Sequence, residues 1–278
     1  MLKQRIITAI VLLAVLLPAL FYPLPTPFFL LALVLIAAAC WEWGRLNGLQ
    51  QMGSLSLATV CVMFCGACWA LGWLIQPLPL LWSAAGVLWV VGSGFILARG
   101  VKRWALFPKG FRLFSGAVVL CLAWLAVVQA RLLGIEFLLS VMLLVWVADI
   151  GAYFAGRRFG GRFSHRKLAP SISPGKSWEG VWGGMLGVVL MAGVWLNADP
   201  GGHTLFHRLT AQYGVAVMVV AVIFLAAMSV VGDLTESLIK RSAGAKDSSG
   251  LLPGHGGVLD RVDALLPTLP LAIMLVSF

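Results

Sequence analysis

The stretch that decides the fold is Tyr213-Gly-Val-Ala-Val-Met-Val-Val-Ala-Val-Ile-Phe-Leu-Ala-Ala-Met-Ser-Val-Val231, in which no side chain is charged. A helix needs about 20 consecutive, mostly apolar residues to cross the hydrocarbon core of a bilayer. The run is followed at once by Gly232-Asp233-Leu-Thr-Glu-Ser-Leu-Ile-Lys240-Arg241, where charged side chains return. This pattern predicts a membrane-spanning helix with polar chemistry at its C-terminal end.

The composition of the whole chain agrees with this stretch. Of the 278 residues, 61% are hydrophobic and 11% are charged, and the mean hydropathy is +0.98. Soluble domains are about 45–50% apolar and about 25% charged. A soluble domain, a disordered chain and a small disulfide-stapled secreted fold are therefore excluded. The composition predicts an all-α, polytopic integral membrane protein.

Nine apolar stretches are long enough to form transmembrane helices, which satisfy every backbone polar group within the bilayer. They lie at 6–22, 27–43, 54–75, 78–98, 113–130, 132–155, 180–197, 213–231 and 262–278. We expect one membrane domain over residues 1–278. Residues 1–130 are interpreted as a scaffold with dimer contacts, and residues 131–278 as the helices that carry the functional site.

The distribution of basic residues predicts the orientation. With nine spans and a cytoplasmic N-terminus, every Lys and Arg of the 20 in the chain except Arg131 and Arg208 falls on the cytoplasmic side. This is the bias of the positive-inside rule. The net charge of +10 is then explained by topology and anionic lipid headgroups, and no nucleic-acid partner is expected.

Acidic residues cluster after the predicted span at 213–231, near its predicted cytoplasmic end. Five of the ten carboxylates in the chain lie between 233 and 263. A solvated loop that balances nearby basic residues is the simpler interpretation. However, Asp233, Ser237 and Lys240 or Arg241 share one face of a helix that starts near residue 233. The pattern therefore also favours a functional site in which these side chains act together.

Three of these carboxylates, Asp233, Asp260 and Asp263, are the candidate metal ligands, and Asp247 is a weaker one. Asp260 and Asp263 share a helix face because they are three residues apart. Mg²⁺ usually binds one or two carboxylates together with substrate phosphates. Zinc is disfavoured because His255 stands alone and no cysteine is near. The acids indicate Mg²⁺-assisted phosphate chemistry.

A glycine-rich loop, Pro253-Gly254-His255-Gly256-Gly257, leads into the last predicted span. Glycine lets backbone N–H groups approach an anion closely, and a helix N-terminus favours negative charge. We therefore expect Gly254, Gly256 and Gly257 to receive a phosphate group.

The connector before residue 180 supplies a second basic element. It contains Ser173-Pro174-Gly175-Lys176-Ser177, in which Ser173, Lys176 and Ser177 are interpreted as a phosphate grip; the alternative is a basic loop that faces headgroups. Asp149 lies inside an apolar run, where a carboxylate is costly, and is a functional candidate. Its alternative role is a pair with Arg157 or Arg158. The glycine spacing in 180–187 predicts close helix packing.

These residues carry a resemblance to a known family. Ser237-x2-Lys240-Arg241-x4-Lys246-Asp247-x4-Leu252-Pro253-x-His255-Gly256-Gly257-x2-Asp260-Arg261-x-Asp263 resembles the signature of the phosphatidate cytidylyltransferases, also called CDP-diacylglycerol synthases. Gly232-Asp233-Leu234 and the 173–180 element are similar to further elements of that family, in the expected order.

The resemblance implies that CTP and phosphatidic acid react to give CDP-diacylglycerol and pyrophosphate, and we expect this at the cytoplasmic side of the cell inner (plasma) membrane. It implies a multi-pass helical fold within membrane lipids, a homodimer, and Mg²⁺ with K⁺ as an optional second cation. Asp233, Asp260 and Asp263 would bind metal. Phosphates would be held by Lys240, Arg241, Lys246, Arg261, Ser173, Lys176, Ser177 and Ser237. His255 would donate a hydrogen bond to the leaving group or serve the structure.

Two other functions stay open at this point. An ion-coupled transporter would use Asp149, Asp233 and Asp263 as an ion path, although paired halves with broken helices are not evident. Another CTP-using lipid enzyme, such as a polyprenol kinase or a CDP-archaeol synthase, would use the same motifs on a different acceptor.

Overall fold

The computed structural model describes residues 2–164 and 166–277, and the regular structure in these residues is helical. The helices of the first half are α1 (Leu2–Phe21), α2 (Thr26–Leu46), α3 (Gln51–Ala70), α4 (Pro79–Val87), a π-helical turn (Leu88–Gly92), α5 (Ser93–Arg99), α6 (Val101–Trp104) and α7 (Lys109–Leu133). Those of the second half are α8 (Ile135–Phe159), α9 (Trp178–Ala198), α10 (Leu205–Tyr213), α11 (Val215–Ser242), α12 (Leu259–Val262) and α13 (Leu265–Val276).

Eight helices in the described residues are long and apolar enough to cross a membrane. They are α1, α2, α3, the continuous segment Pro79–Arg99 that joins α4 to α5, and α7, α8, α9 and α11. The predicted all-α, polytopic membrane fold is confirmed. Large apolar side chains on several of these helices face outward, such as Val34, Val194 and Val220, which are at least 65% exposed. In a bilayer these faces contact lipid.

The ninth predicted span, at 262–278, differs from the structure. Its helix, α13, has 12 residues and is about 18 Å long, which is shorter than the hydrocarbon core. Every residue from Leu266 to Ile273 is buried, because α13 packs against α4, α7 and α11. The apolar run reflects a central position inside the helix bundle, which periodicity alone does not distinguish from a span.

The predicted close packing through glycine occurs between α8 and α9. A side chain at Gly184 would place its Cβ atom 2.5 Å from the carbonyl oxygen of Ala148, and one at Gly183 would lie 2.1 Å from the Ala155 side chain. Only glycine lets the two backbones approach this closely. This contact holds the connector 160–177 beside the end of α8.

The connections between the long helices alternate between two ends of the bundle. At one end, Thr8 donates a 2.9 Å hydrogen bond to the carbonyl oxygen of Pro253. At the same end, Arg241 on α11 donates to the carbonyl oxygen of Ile172 in the α8–α9 connector, at 3.5 Å. The N-terminal helix, this connector and the α11–α12 loop therefore meet, and we call this the site end.

Arg131 and Arg208 are the two basic residues that were not predicted on the cytoplasmic side. They lie together at the end of the bundle opposite the site end. Arg131 donates to the carbonyl oxygen of Leu20 at 3.0 Å, and Arg208 donates to that of Leu133 at 3.1 Å. These two arginines therefore lie at the end of the bundle away from the site end, whereas the predicted orientation in the membrane stays a prediction.

Candidate active site

The last turns of α11 begin the candidate site. The helix runs without a break from the apolar stretch to Ser242, so the charged residues continue the span rather than start a new helix. Ser237 donates to Asp233 at 3.2 Å, which is the predicted contact one turn apart. Lys240 forms an ion pair with Glu236, one turn earlier on the same helix, and both side chains are nearly buried. The end of α11 therefore presents both carboxylates and an ammonium group.

Lys240 also binds Asp260 of α12, with 2.5 Å between Nζ and Oδ1. The other oxygen of Asp260 accepts hydrogen bonds from the Ser248 amide, the Ser248 hydroxyl and the Gly257 amide, at 2.8–2.9 Å. Burial alone would raise the pKa of Asp260, but these hydrogen bonds and the Lys240 charge outweigh it, so its pKa lies below the ordinary value. Both oxygens of Asp260 are thus held by protein donors.

A carboxylate from the N-terminal half, Glu42 of α2, completes this network. Its side chain is fully buried and accepts from the amides of Val258 and Leu259 at 2.9 and 2.8 Å. It also accepts from the Ser249 hydroxyl at 2.5 Å, and the Ser248 hydroxyl, whose single hydrogen is shared with Asp260, lies 3.0 Å away. These donors replace the water that a buried carboxylate loses. Glu42 therefore ties α2 to the loop that carries Asp260.

The motif glycines are required by this network. A Cβ atom on Gly257 would lie 2.0 Å from the Ser248 hydroxyl and 2.4 Å from a Glu42 carboxylate oxygen, and one on Gly256 would lie 2.7 Å from Asp260. The anion that the Gly257 amide meets is the Asp260 carboxylate, so this amide is not available to a phosphate. The predicted phosphate role of Gly254 and Gly256 stays a prediction.

His255 lies in a tight turn of the α11–α12 loop at the site end. Gly254 and Gly256 have φ angles of 76° and 79°, which a residue with a side chain rarely adopts. The His255 carbonyl oxygen accepts two hydrogen bonds from Arg261, at 2.9 and 2.6 Å. Its ring Nδ1 is buried and has no hydrogen-bond partner among the described residues. Arg261 therefore serves to hold the turn.

The α8–α9 connector brings Lys176 to α11. Lys176 Nζ lies 2.5 Å from Asp233 Oδ2, and both side chains are partly exposed. Ser177 caps α9 by accepting from the Gly180 amide at 3.2 Å. Glu179, buried in the first turn of α9, accepts from the Phe163 and Ser164 amides at 3.0 and 2.7 Å. The connector is thus fixed at both ends, and Lys176 projects toward the carboxylates.

Asp233 and Lys176 lie within electrostatic range of Asp149 and also of Asp263. Asp263 lies between α12 and α13, outside the membrane-spanning helices. Burial and the nearby Asp233 charge raise the pKa of Asp263 to about 7. Two facing carboxylates and a partly exposed ammonium therefore form a place where a cation would relieve repulsion.

The contacts of Arg157 and Arg158 do not support the alternative role of Asp149, which was an ion pair with one of these arginines. Arg157 donates to the Tyr153 hydroxyl at 3.0 Å, and Arg158 lies over the Phe159 ring. Asp149 instead lies within electrostatic range of Asp233 and Lys176.

The predicted metal ligands do not form a closed cage. In the part of the chain that the structure describes, no three His, Cys, Asp or Glu side chains are placed to hold a metal ion by themselves. Asp233 and Asp263 are neighbours, whereas Asp260 is engaged with Lys240, Ser248 and Gly257. A cation beside Asp233 and Asp263 would need further oxygens from a substrate.

The remaining predicted residues lie around this centre. Lys246 and Asp247 are exposed on the loop after α11, Arg241 reaches the 172 carbonyl of the connector, and Ser173 lies in the turn before Lys176. Sequence reasoning assigned no role to Glu42, Glu236, Ser248 or Glu179. A signal existed for Glu42, because an ionisable residue within an apolar run is functional by default.

The chain is similar in sequence to one known protein family and to several proteins that carry the same name. A model of the cytidylyltransferase family matches residues 3–278. The chain is 41% identical over 276 residues to the phosphatidate cytidylyltransferase of Pseudomonas aeruginosa, covering 97% of this chain and 95% of that protein. It is 38% identical over 296 residues to that of Haemophilus influenzae, covering 97% and 96%. The Brucella suis protein of the same name is 36% identical over 274 residues.

Proposed function

Because the chain belongs to the cytidylyltransferase family, we propose that it transfers a cytidylyl group from CTP to phosphatidic acid, giving CDP-diacylglycerol and pyrophosphate. The observation that carries the proposal is the joined charge network at the site end. Two ion pairs, Lys176–Asp233 and Lys240–Asp260, lie at the end of α11 beside the two loops. This is the kind of place where two phosphate anions can be brought together.

The proposed reaction is one displacement. A phosphate oxygen of phosphatidic acid forms a bond to the α-phosphorus of CTP. The bond from that phosphorus to the oxygen bridging the β-phosphorus breaks, and pyrophosphate leaves with the electron pair. The attacking phosphate is already an anion at neutral pH, so a general base is not needed. Catalysis consists mainly of alignment and charge neutralisation.

The basic side chains reduce the repulsion between the two anions. Lys176 is partly exposed and exchanges its contact with Asp233 for a phosphate when substrate enters. Lys246 and Arg241 add positive charge at the mouth of the site. Lys240 is held between Glu236 and Asp260, so it acts from a fixed position. An ammonium that is already oriented costs no reorganisation during reaction.

The donor set suits Mg²⁺. Asp233 and Asp263 offer hard carboxylate oxygens, and Mg²⁺ takes its other ligands from phosphates and water. A bound Mg²⁺ would supply neutralisation of phosphate charge. In this proposal Asp233 and Asp263 hold the ion, and Asp260 acts through Lys240 because its own oxygens are occupied.

We place the site end at the cytoplasmic face of the inner membrane, because most of the basic residues lie there. CTP then arrives from the cytoplasm, and the acyl chains of phosphatidic acid stay at the depth of the hydrocarbon core. A homodimer, implied by the family, belongs to the same proposal and is tested by the mass of the purified protein in detergent.

The test uses the purified full chain in mixed micelles with CTP labelled at its α-phosphate. Label should enter lipid only when phosphatidic acid is present, and pyrophosphate should appear in equal amount. Transfer to a polyprenol instead, or no CTP-dependent product at all, would contradict the proposal.

Lys176→Ala separates the phosphate grip from a merely basic loop. We expect a raised KM for CTP or phosphatidic acid, or a lowered kcat, by about tenfold, because a hydrogen bond from a charged group contributes about 1.5–3 kcal/mol. Lys167→Ala, an exposed lysine of the same connector, is the matched control. Equal kinetics for the two variants would remove Lys176 from the site.

A further inference from the structure

An apolar cavity of about 150 Å³ lies directly beside the site end. Its walls include Trp43 of α2, Trp89 of the π-helical turn and Val119 of α7. Gly232 and Glu236 of α11 close it on the side of the charge network. An engineered protein cavity of the same size binds benzene, so the volume suits about six carbon atoms.

One tryptophan in the wall differs from the other buried tryptophans in its hydrogen bonding. The indole nitrogens of four buried tryptophans donate to oxygen atoms at 2.9–3.3 Å; these are Trp43, Trp82, Trp104 and Trp124. The nitrogen of Trp89 is buried and has no acceptor among the described residues, although the side chain is only 6% exposed. A buried donor without an acceptor is costly, especially at membrane depth.

The backbone is locally distorted at the same residue. Leu88–Gly92 forms a π-helical turn inside an otherwise α-helical segment, and the Ser93 hydroxyl donates to the carbonyl oxygen of Trp89. Single π-turns within α-helices often occur at functional sites. The distortion, the unpaired donor and the cavity therefore coincide at Trp89.

We infer that this cavity binds the ester end of one acyl chain of the lipid substrate, with the ester carbonyl accepting from the Trp89 indole N–H. The inference rests on the proposed function and adds a specificity determinant to it. Because Gly232 is adjacent to Asp233, a lipid with its phosphate at the charge network has its ester groups beside the cavity. About six carbons of the chain then fill the apolar volume.

The experiment compares two lipids that differ only in whether their chains are attached through ester carbonyls. Phosphatidic acid and its dialkyl ether analogue, with equal chain lengths, are used in mixed micelles with the full chain and saturating CTP. The wild type should prefer the ester lipid in kcat/KM by about tenfold, since one buried hydrogen bond is at stake. Trp89→Phe keeps an aromatic side chain and removes the donor, so this ratio should fall close to one while the KM for CTP is unchanged.

Trp146→Phe is the matched control, because Trp146 on α8 is 44% exposed on the outer face. It should retain the wild-type ratio. A wild type without ester preference, or a Trp89→Phe protein that keeps the preference, would overturn the inference. Loss of all CTP-dependent product in the wild type would instead overturn the proposed function.

A second variant tests the cavity without touching Trp89. Val119→Phe fills the volume and should lower kcat/KM for phosphatidic acid about tenfold with little change in the KM for CTP. Unchanged kcat/KM for the lipid would show that no acyl chain enters, and would also overturn the inference.

Discussion

Glu42 and Leu259 are 217 positions apart in the chain, yet the Leu259 amide donates a 2.8 Å hydrogen bond to the Glu42 carboxylate. With the Val258 amide and two serine hydroxyls, this contact fixes the start of α12 against α2. The position of Asp260, and through it of Lys240, therefore depends on a residue in the N-terminal half.

Glu42→Gln should lower kcat/KM for CTP by at least about tenfold. The amide has one acceptor atom in place of two, so buried N–H and O–H donors lose partners at about 1–3 kcal/mol each. Initial rates at saturating phosphatidic acid measure the effect, and limited proteolysis of residues 243–258 should become faster. Glu136→Gln is the control, because Glu136 accepts from the His203 amide at the opposite end. Equal rates for the two variants would contradict the role of Glu42.

Gly257→Ala should abolish most activity and lower the thermal stability, since its Cβ atom would overlap Ser248 and Glu42. Gly250→Ala, on the same loop, meets no atom within 4 Å of its Cβ and should behave like the wild type. Activity and melting temperature in detergent are the measurements. A fully active Gly257→Ala protein would show that the loop packs differently.

Asp263→Asn should reduce turnover by about a hundredfold or more and raise the Mg²⁺ concentration needed for half-maximal rate, because one of two expected ligands is lost. Rates are measured over a Mg²⁺ series, with and without K⁺, after chelator treatment of the protein. Asp199→Asn, at the opposite end, is the control. A variant that folds normally and keeps the wild-type Mg²⁺ dependence would exclude Asp263 as a ligand.

The ion pair of Asp260 with Lys240 predicts how the stability of the fold depends on pH. Its pKa in the folded protein lies below the ordinary value of 3.8, so its ionised form stabilises the fold above that value. This contribution is lost as the pH falls through the lower, folded-state pKa. The difference in melting temperature between wild type and Asp260→Asn should therefore be constant from about pH 8 to pH 5 and shrink below about pH 4. A difference that grows on acidification would contradict the ion pair with Lys240.

Much of the architecture follows from hydropathy, because lipid requires long helices with internally satisfied backbones. The run before Asp233 predicts α11, and the glycines near residue 183 predict close helix packing, which the structure shows to be with α8. The α13 segment was predicted as a ninth span because a fully buried short helix is as apolar as a membrane span. Its burial depends on α7 and α11, which local sequence does not reveal.

The candidate site was predictable where its residues are close in sequence, and less so where distant helices meet. The Asp233–Ser237 contact follows from helical spacing. The Lys176–Asp233 pair and the Glu42 hydrogen bonds depend on how helices far apart in the chain are arranged. The separation of Asp260 from Asp263 arises because Asp260 turns toward the loop donors, which helical spacing of three residues does not predict.

The link between α2 and the 248–259 segment has a consequence for biosynthesis. During translation α2 enters the bilayer long before Ser248, Ser249, Val258 and Leu259 exist, so the nascent chain carries a carboxylate without these donors. The ordering of the site end therefore waits for residues 248–259 and is one of the final events of membrane assembly.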